Sequence, residues 1–151
     1  MTRTTDDAAL EVLSAEECYR LLATQQLGRL GLISNGNQII MPVNYGLDGP
    51  VVVVRLGQGS VLRAADHANV AFEVDSIDPA THSGWSVLVR GLAEEVGDRH
   101  ERGLAQRTRD TAVESWAPGE RGHWLRVIPQ AISGRRIVAG VPVDLLVDLG
   151  S

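Results

Sequence analysis

Between residues 28 and 134 the apolar positions recur mostly at a period of two, the mark of strands that bury one face. GRLGLIS (28–34) alternates in this way, Asn35-Gly36 supplies a two-residue hairpin turn, and QIIMPVNYG (38–46) reads as the returning strand. Pro42 cannot donate to a ladder, so it is expected at a bulge or on an unpaired edge. Asp48-Gly49-Pro50 forms the next turn and VVVV (51–54) the third strand. In NVAFEVD (69–75), Val70, Phe72 and Val74 share one face. WSVLVRGLAEEV (85–96) is a long strand in which Gly91 marks a bend, and HWLRVIPQAISG (123–134) is the last clear one.

The period lengthens to that of a helix in three places. Ser14 and Glu17 have the spacing of a capping box, and the helix after it sets Cys18, Leu21 and Leu22 on one stripe, with Gly28 as its stop. Ser60 is expected to cap a short helix over 60–66, and Asp98 with Glu101 to open a charged helix running to about Arg109. Residues 1–13 are expected to be a flexible tail, and 14–151 a single domain; the valines and leucines of VAGVPVDLLVDLG (138–150) suggest packing against something. Six strands with short, hairpin-like links and two or three peripheral helices give a mainly β (α+β) antiparallel barrel, not a series of βαβ units.

Composition narrows the possible functions. A chain of 151 residues suits one core, and the formal charge of −5 argues against a general nucleic-acid binder. The single cysteine, Cys18, excludes a disulfide framework and makes a reducing cytoplasm the expected compartment. MTRTTDDAAL lacks the apolar stretch of a signal peptide, and no apolar run approaches the roughly 20 residues that span a bilayer.

Candidate chemistry is sparse. Cys18 lies on an apolar helical stripe, the setting of a small core residue, and no G-x-S-x-G elbow occurs. The histidines at 67, 82, 100 and 123 share no metal-ligand spacing, so no metal site is expected. No catalytic residue can be assigned. The stretch VVVVRLGQGSVLR (51–63) is the exception: an apolar strand ends on Arg55, and Gly57 and Gly59 frame a turn before Ser60. Backbone N–H groups in such a turn, with a guanidinium beside them, form an anion site. A surface hairpin carrying a solvated arginine has the same sequence.

The series GRLGLI, MPVNYGLDG, the strand ending in Arg55 with its glycine turn, VAFEVDSIDPATHSGWSVLVRG and WAPGER resembles the FMN-binding split-barrel proteins related to pyridoxamine 5'-phosphate oxidase. The resemblance spans about residues 14 to 137 and is carried most specifically by GWSVLVRG and WAPGER. It implies a split barrel, a homodimer and a flavin in the groove between subunits, with an unidentified small molecule as hydride or electron partner. The backbone of Met41, Pro42, Val43 and Asn44 would run along the isoalloxazine. Arg55, Leu56, Ser60, Val61 and Leu62 would surround the phosphate, Trp85 and Ser86 would approach from a neighbouring strand, and Trp116 and Arg121 would make contacts at the interface. Relatives commonly carry arginine-threonine at the strand end and glycine-threonine-lysine in the turn, where this chain has Arg55-Leu56 and Gly59-Ser60-Val61. A charge-assisted hydrogen bond contributes roughly 1.5–3 kcal/mol, so the missing cation is expected to weaken FMN by about 10- to 100-fold. That departure supports a second expectation, a non-enzymatic or sensory barrel that holds FMN weakly or has lost it. Its groove would then take a deazaflavin, haem or another small ligand, with His67 or His123 as conceivable haem ligands.

Overall fold

The computed structural model describes residues 10–97, 100, 102–111, 113–116 and 122–138. Along the chain they form β1 (Leu10–Val12), α1 (Ala15–Leu22), β2 (Leu27–Ser34), β3 (Asn37–Asp48), β4 (Val51–Leu56), α2 (Ser60–Ala65), β5 (Ala68–Asp78), β6 (Ser83–Glu95), α3 (Arg102–Asp110) and β7 (His123–Ile137). All pairings are antiparallel. The order β1-β7-β4-β3-β2-β5-β6 closes on itself because β7 also pairs with β6. The six expected strands make this ring. The seventh, β1, adds to the end of β7 by pairing Leu10 with Ile137 and Val12 with Arg135. Residues 10–13 therefore depart from the expected tail: backbone pairing holds β1, and Leu13 is buried.

Alternation does the packing work. Leu30, Phe72, Val87, Val89, Leu125 and Val127 are buried inside the ring, where each large apolar side chain contributes about 1.5–3 kcal/mol. Tyr45 packs edge-on against Phe72 at 4.9 Å and donates its hydroxyl to Leu22 O at 2.5 Å, which ties α1 to the barrel. The hairpin at Asn35-Gly36 has positive φ at both residues (52° and 78°), as a mirror-image turn demands. At Gly91 the β6–β7 register slips, and an added Cβ would lie 2.1 Å from Ile128 O. The expected bend is thus a β-bulge that only glycine fits.

Three local expectations change. The first helix ends at Leu22 with Ala23 as its C-cap, and Gly28 lies inside β2, where a Cβ would meet the Phe72 ring at 2.6 Å. Ser60 is the first helical residue of α2, and Gly59 occupies the cap. Ser14 does accept from Glu17 N at 3.1 Å, but the Glu17 carboxylate turns to Arg20 and Arg136, and those hydrogen bonds lower its pKa to about 2. Asp98 and Glu101 lie outside the described residues, as does the tail beyond Val138.

On the outer face of the sheet, Arg29 bridges Glu73 at 3.0 Å and Asp75 at 2.9 Å. Partial burial, with the neighbouring Asp75, raises the Glu73 pKa to about 7. A carboxyl whose folded pKa is raised favours folding at low pH and loses that contribution as pH rises through the folded value. Wild-type protein should therefore lose stability between pH 5 and 8, and Glu73→Gln should flatten that part of the profile. Chemical denaturation across the range measures it; an unchanged slope in the variant would assign the loss to other groups.

Candidate functional site

Strand β3 is paired with β2 over Asn37–Asn44 and with β4 only over Tyr45–Asp48. The backbone edge of Met41–Asn44 is consequently open on the β4 side, and this is where Pro42 sits, matching the expectation that it needs an unpaired edge. The open edge forms one wall of a cleft of about 290 Å³. The opposite wall is the end of β4 at Arg55 and Leu56, the turn Gly57–Gly59, and the start of α2 at Ser60 and Val61; Ser115 closes the rim.

Arg55 supplies the cation. Its guanidinium stands 5.0 Å from the centre of the Trp124 ring and donates from Nη1 to Val113 O at 3.3 Å. Cation–π and hydrogen-bond contacts of this kind fix a planar group that has five donors in all. Asn44 is buried and fully engaged: Nδ2 donates to Gln26 O at 3.2 Å, and Oδ1 accepts from Trp116 N at 2.8 Å. Its side chain thus pins the 113–116 segment to β3. Leu56 lines the cleft yet belongs to the buried core, so an apolar residue there serves packing. Val61, half-buried, presents an apolar side chain beside Ser60.

Of the residues singled out from the sequence, Met41, Pro42, Val43, Asn44, Arg55, Leu56, Ser60 and Val61 come together in this one cleft. Leu62 does not; it is 4% exposed and faces the core. Trp85 packs against the core from β6, and Ser86 faces outward opposite Asp75 and Arg135. Trp116 is 56% exposed beside Ser115, and Arg121 lies outside the described residues. Gln58, Val113 and Ser115 belong to the site without having been singled out. No pattern in the sequence marks the last two, which reach it through contacts with β3 and β4. His67 is exposed near Asp66, and His123 is held by Glu95 at 2.7 Å; neither lines the cleft. Among the described residues no group of histidine, cysteine and carboxylate side chains is placed to bind a metal, and no helix is long and apolar enough to cross a membrane. Cys18 is fully buried, and desolvation raises its pKa, the opposite of what a thiolate nucleophile requires.

A closed antiparallel ring of six strands, with its cleft between an open strand edge and a strand-end arginine, places the molecule among the split-barrel proteins of the pyridoxamine 5'-phosphate oxidase type. The family model described as pyridoxamine 5'-phosphate oxidase matches residues 14–136, and the chain belongs to that family. It is similar to the uncharacterized protein Rv0080 of Mycobacterium tuberculosis, at 33% identity over 91% of this chain and 93% of that one. Among solved structures it is similar to an FAD-binding protein of Mycobacterium smegmatis (35% identity, TM-score 0.64, covering 85% of this chain and 98% of the other). A candidate pyridoxamine 5'-phosphate oxidase from Corynebacterium glutamicum superposes with a TM-score of 0.74 at 26% identity, over 88% of this chain and 96% of the other.

Proposed function

We propose that this protein binds a flavin in the cleft and acts as a flavin-dependent oxidoreductase on a small molecule. One observation carries the reading: the open backbone edge of Met41–Asn44 faces a strand-end arginine and an amide-rich turn across a single cleft. The free N–H and C=O groups of β3 suit the hydrogen-bonding edge of an isoalloxazine. Arg55, with the backbone of Gly57–Ser60, suits a phosphate. Among the described residues Arg55 is the one charged side chain lining the cleft, so this chain contributes binding and orientation there, and a bound flavin would supply the hydride chemistry. Ligand sites usually measure about 300–1,000 Å³, and the cleft, at about 290 Å³, lies just below that range. A second copy of the chain is proposed to complete it, since Trp85 and Ser86, on the far strand β6, can approach the flavin only from a partner.

Val61 favours a dinucleotide flavin over FMN. A phosphate monoester carries about −1.5 to −2 charges at pH 7, whereas each phosphate of a pyrophosphate diester carries about one. A cradle whose described residues offer one guanidinium, with an apolar residue at Val61, suits the lower charge. The 35% identical M. smegmatis relative described as FAD-binding supports this reading.

Titration of the purified protein with FAD and FMN, followed by flavin fluorescence and absorbance, tests both statements. FAD should bind more tightly than FMN, and Arg55→Gln should weaken both by about tenfold or more, the loss of one charge-assisted hydrogen bond. Binding of neither flavin at high concentration would remove the oxidoreductase reading.

A further inference from the structure

A second pocket, of about 360 Å³, opens between helix α2 and the β2–β3 hairpin. Ile33, Ser34 and Asn35 form its hairpin side, and Ser60, Arg63 and Ala64 its helix side. Positions three and four apart share one face of a helix, which sets these three residues of α2 on the pocket while Val61 lines the cleft. Ser60 lines both spaces, so the pocket continues the cleft past the glycine turn.

Polar groups line this pocket, and the protein does not use them. Among the described residues, the side chains of Ser34, Asn35, Ser60 and Arg63 make no hydrogen bond or ion pair. Asn35, Ser60 and Arg63 are exposed and can be met by water. Ser34 differs: it is only 8% exposed, on the inward row of β2 with Leu30 and Leu32. Burying a hydroxyl without a partner is unfavourable, and among the described residues no sealed side-chain nitrogen or oxygen lacks one. The Ser34 hydroxyl is therefore not sealed in, and the space beside it is the pocket that Ser34 lines.

One cation, three hydrogen-bonding side chains and, among the described residues, no carboxylate define the ligand chemistry. A guanidinium suits the oxygens of a singly charged phosphate diester. Hydroxyl and amide groups suit the hydroxyls of an attached sugar. The position beside the cleft selects which diester. With one phosphate at Arg55 and the Gly57–Ser60 turn, the neighbouring space across Ser60 is this pocket. The cleft alone falls just short of the ordinary size of a ligand site, and cleft and pocket together lie well inside it.

We propose that this pocket holds the adenylate half of a dinucleotide flavin, with Arg63 on its second phosphate, and that Arg63 sets a preference for FAD over FMN. The proposal rests on the flavin reading of the cleft, yet it concerns only the part of FAD that FMN lacks.

Fluorescence titration of FAD and FMN into wild type, Arg63→Gln, Arg63→Glu, Arg63→Lys and Ser34→Ala tests it, with circular dichroism to show each variant folded. Arg63→Gln should weaken FAD by about tenfold, the loss of one charge-assisted hydrogen bond, and Arg63→Glu by more. Arg63→Lys should keep most of the affinity, and Ser34→Ala should weaken FAD by roughly two- to tenfold. FMN affinity should stay within about twofold in all four, unlike in Arg55→Gln, where both flavins weaken. An FAD affinity unchanged in Arg63→Gln, or an equal loss for both flavins, would overturn the proposal and leave the flavin reading of the cleft standing. A wild type that binds neither flavin would overturn both.

Discussion

Val61→Lys is expected to tighten FMN binding by about 10- to 100-fold. Val61 lines the cleft in the first turn of α2, beside Ser60 and partly packed against the core, so a lysine there exchanges some of that packing for an ammonium beside the phosphate. One charge-assisted hydrogen bond contributes roughly 1.5–3 kcal/mol, and each 1.4 kcal/mol is a factor of ten. A nearly dianionic monoester gains more from a second cation than a pyrophosphate diester does. The ratio of FMN to FAD affinity should therefore rise in the variant, even if both flavins bind more tightly. Lysine is also long and flexible, and part of its gain is lost in ordering that side chain, which puts the expected change for FAD near the lower end. Parallel fluorescence titrations of both flavins give the ratio directly. An unchanged FMN affinity would mean that the phosphate does not sit at this turn, and the orientation of the flavin in the cleft would have to be reversed.

The walls of this cleft were legible to different degrees. β3 and β4 announce themselves by alternation, and the strand-end arginine and glycine turn are local features, so the walls they build could be read without coordinates. Asn35-Gly36 was legible for the same reason: both residues tolerate the positive φ that the turn needs. Gly28 and Gly91 look alike as sequence, yet only one is a structural break. Gly28 leaves room for Phe72 from β5, and Gly91 lets the β7 backbone close in at a bulge. Which neighbour approaches a glycine is set by strands far away in sequence, so the first was misread as a helix stop. The 113–116 rim was invisible for a related reason. It is placed by Arg55 and Asn44, 58 and 72 residues away, and its own residues have no periodicity. The role of Asn44 was legible only as a position on β3; that its side chain holds the rim was not.

Arg126 shows the same blindness in the core and leads to the largest stability effect expected here. In the alternation of β7 it reads as one more polar position, yet it is only 7% exposed. Its Nη1 donates to Asp48 Oδ2 at 2.7 Å and to Thr108 Oγ1 at 2.8 Å, while Arg107 reaches the same carboxylate at 2.9 Å. One buried guanidinium thus joins the end of β3, the strand β7 and helix α3. Arg126→Met keeps most of the volume but leaves Asp48 with a single, largely exposed partner. Removing one member of a buried pair costs about 3–5 kcal/mol, and the remaining Arg107 puts the expected loss near 3 kcal/mol. For a protein of this size that is a fall in Tm of roughly 6–12 °C. The pH dependence separates charge from packing. Hydrogen bonds from Arg126 and then Arg107 hold the Asp48 pKa below its ordinary 3.8. A lowered carboxyl pKa stabilises the fold above the unfolded value and loses that contribution as pH falls through the folded one. The gap between wild type and Arg126→Met should therefore be widest near neutrality and shrink below about pH 4, where a protonated Asp48 no longer needs a counter-charge. Adding Asp48→Asn to Arg126→Met should recover part of the loss at pH 7, because the stranded charge is gone. Calorimetric melting of the three proteins at both pH values checks this. A gap that stays constant with pH would assign the whole loss to the packing of α3 and leave the carboxylate with no electrostatic part in it.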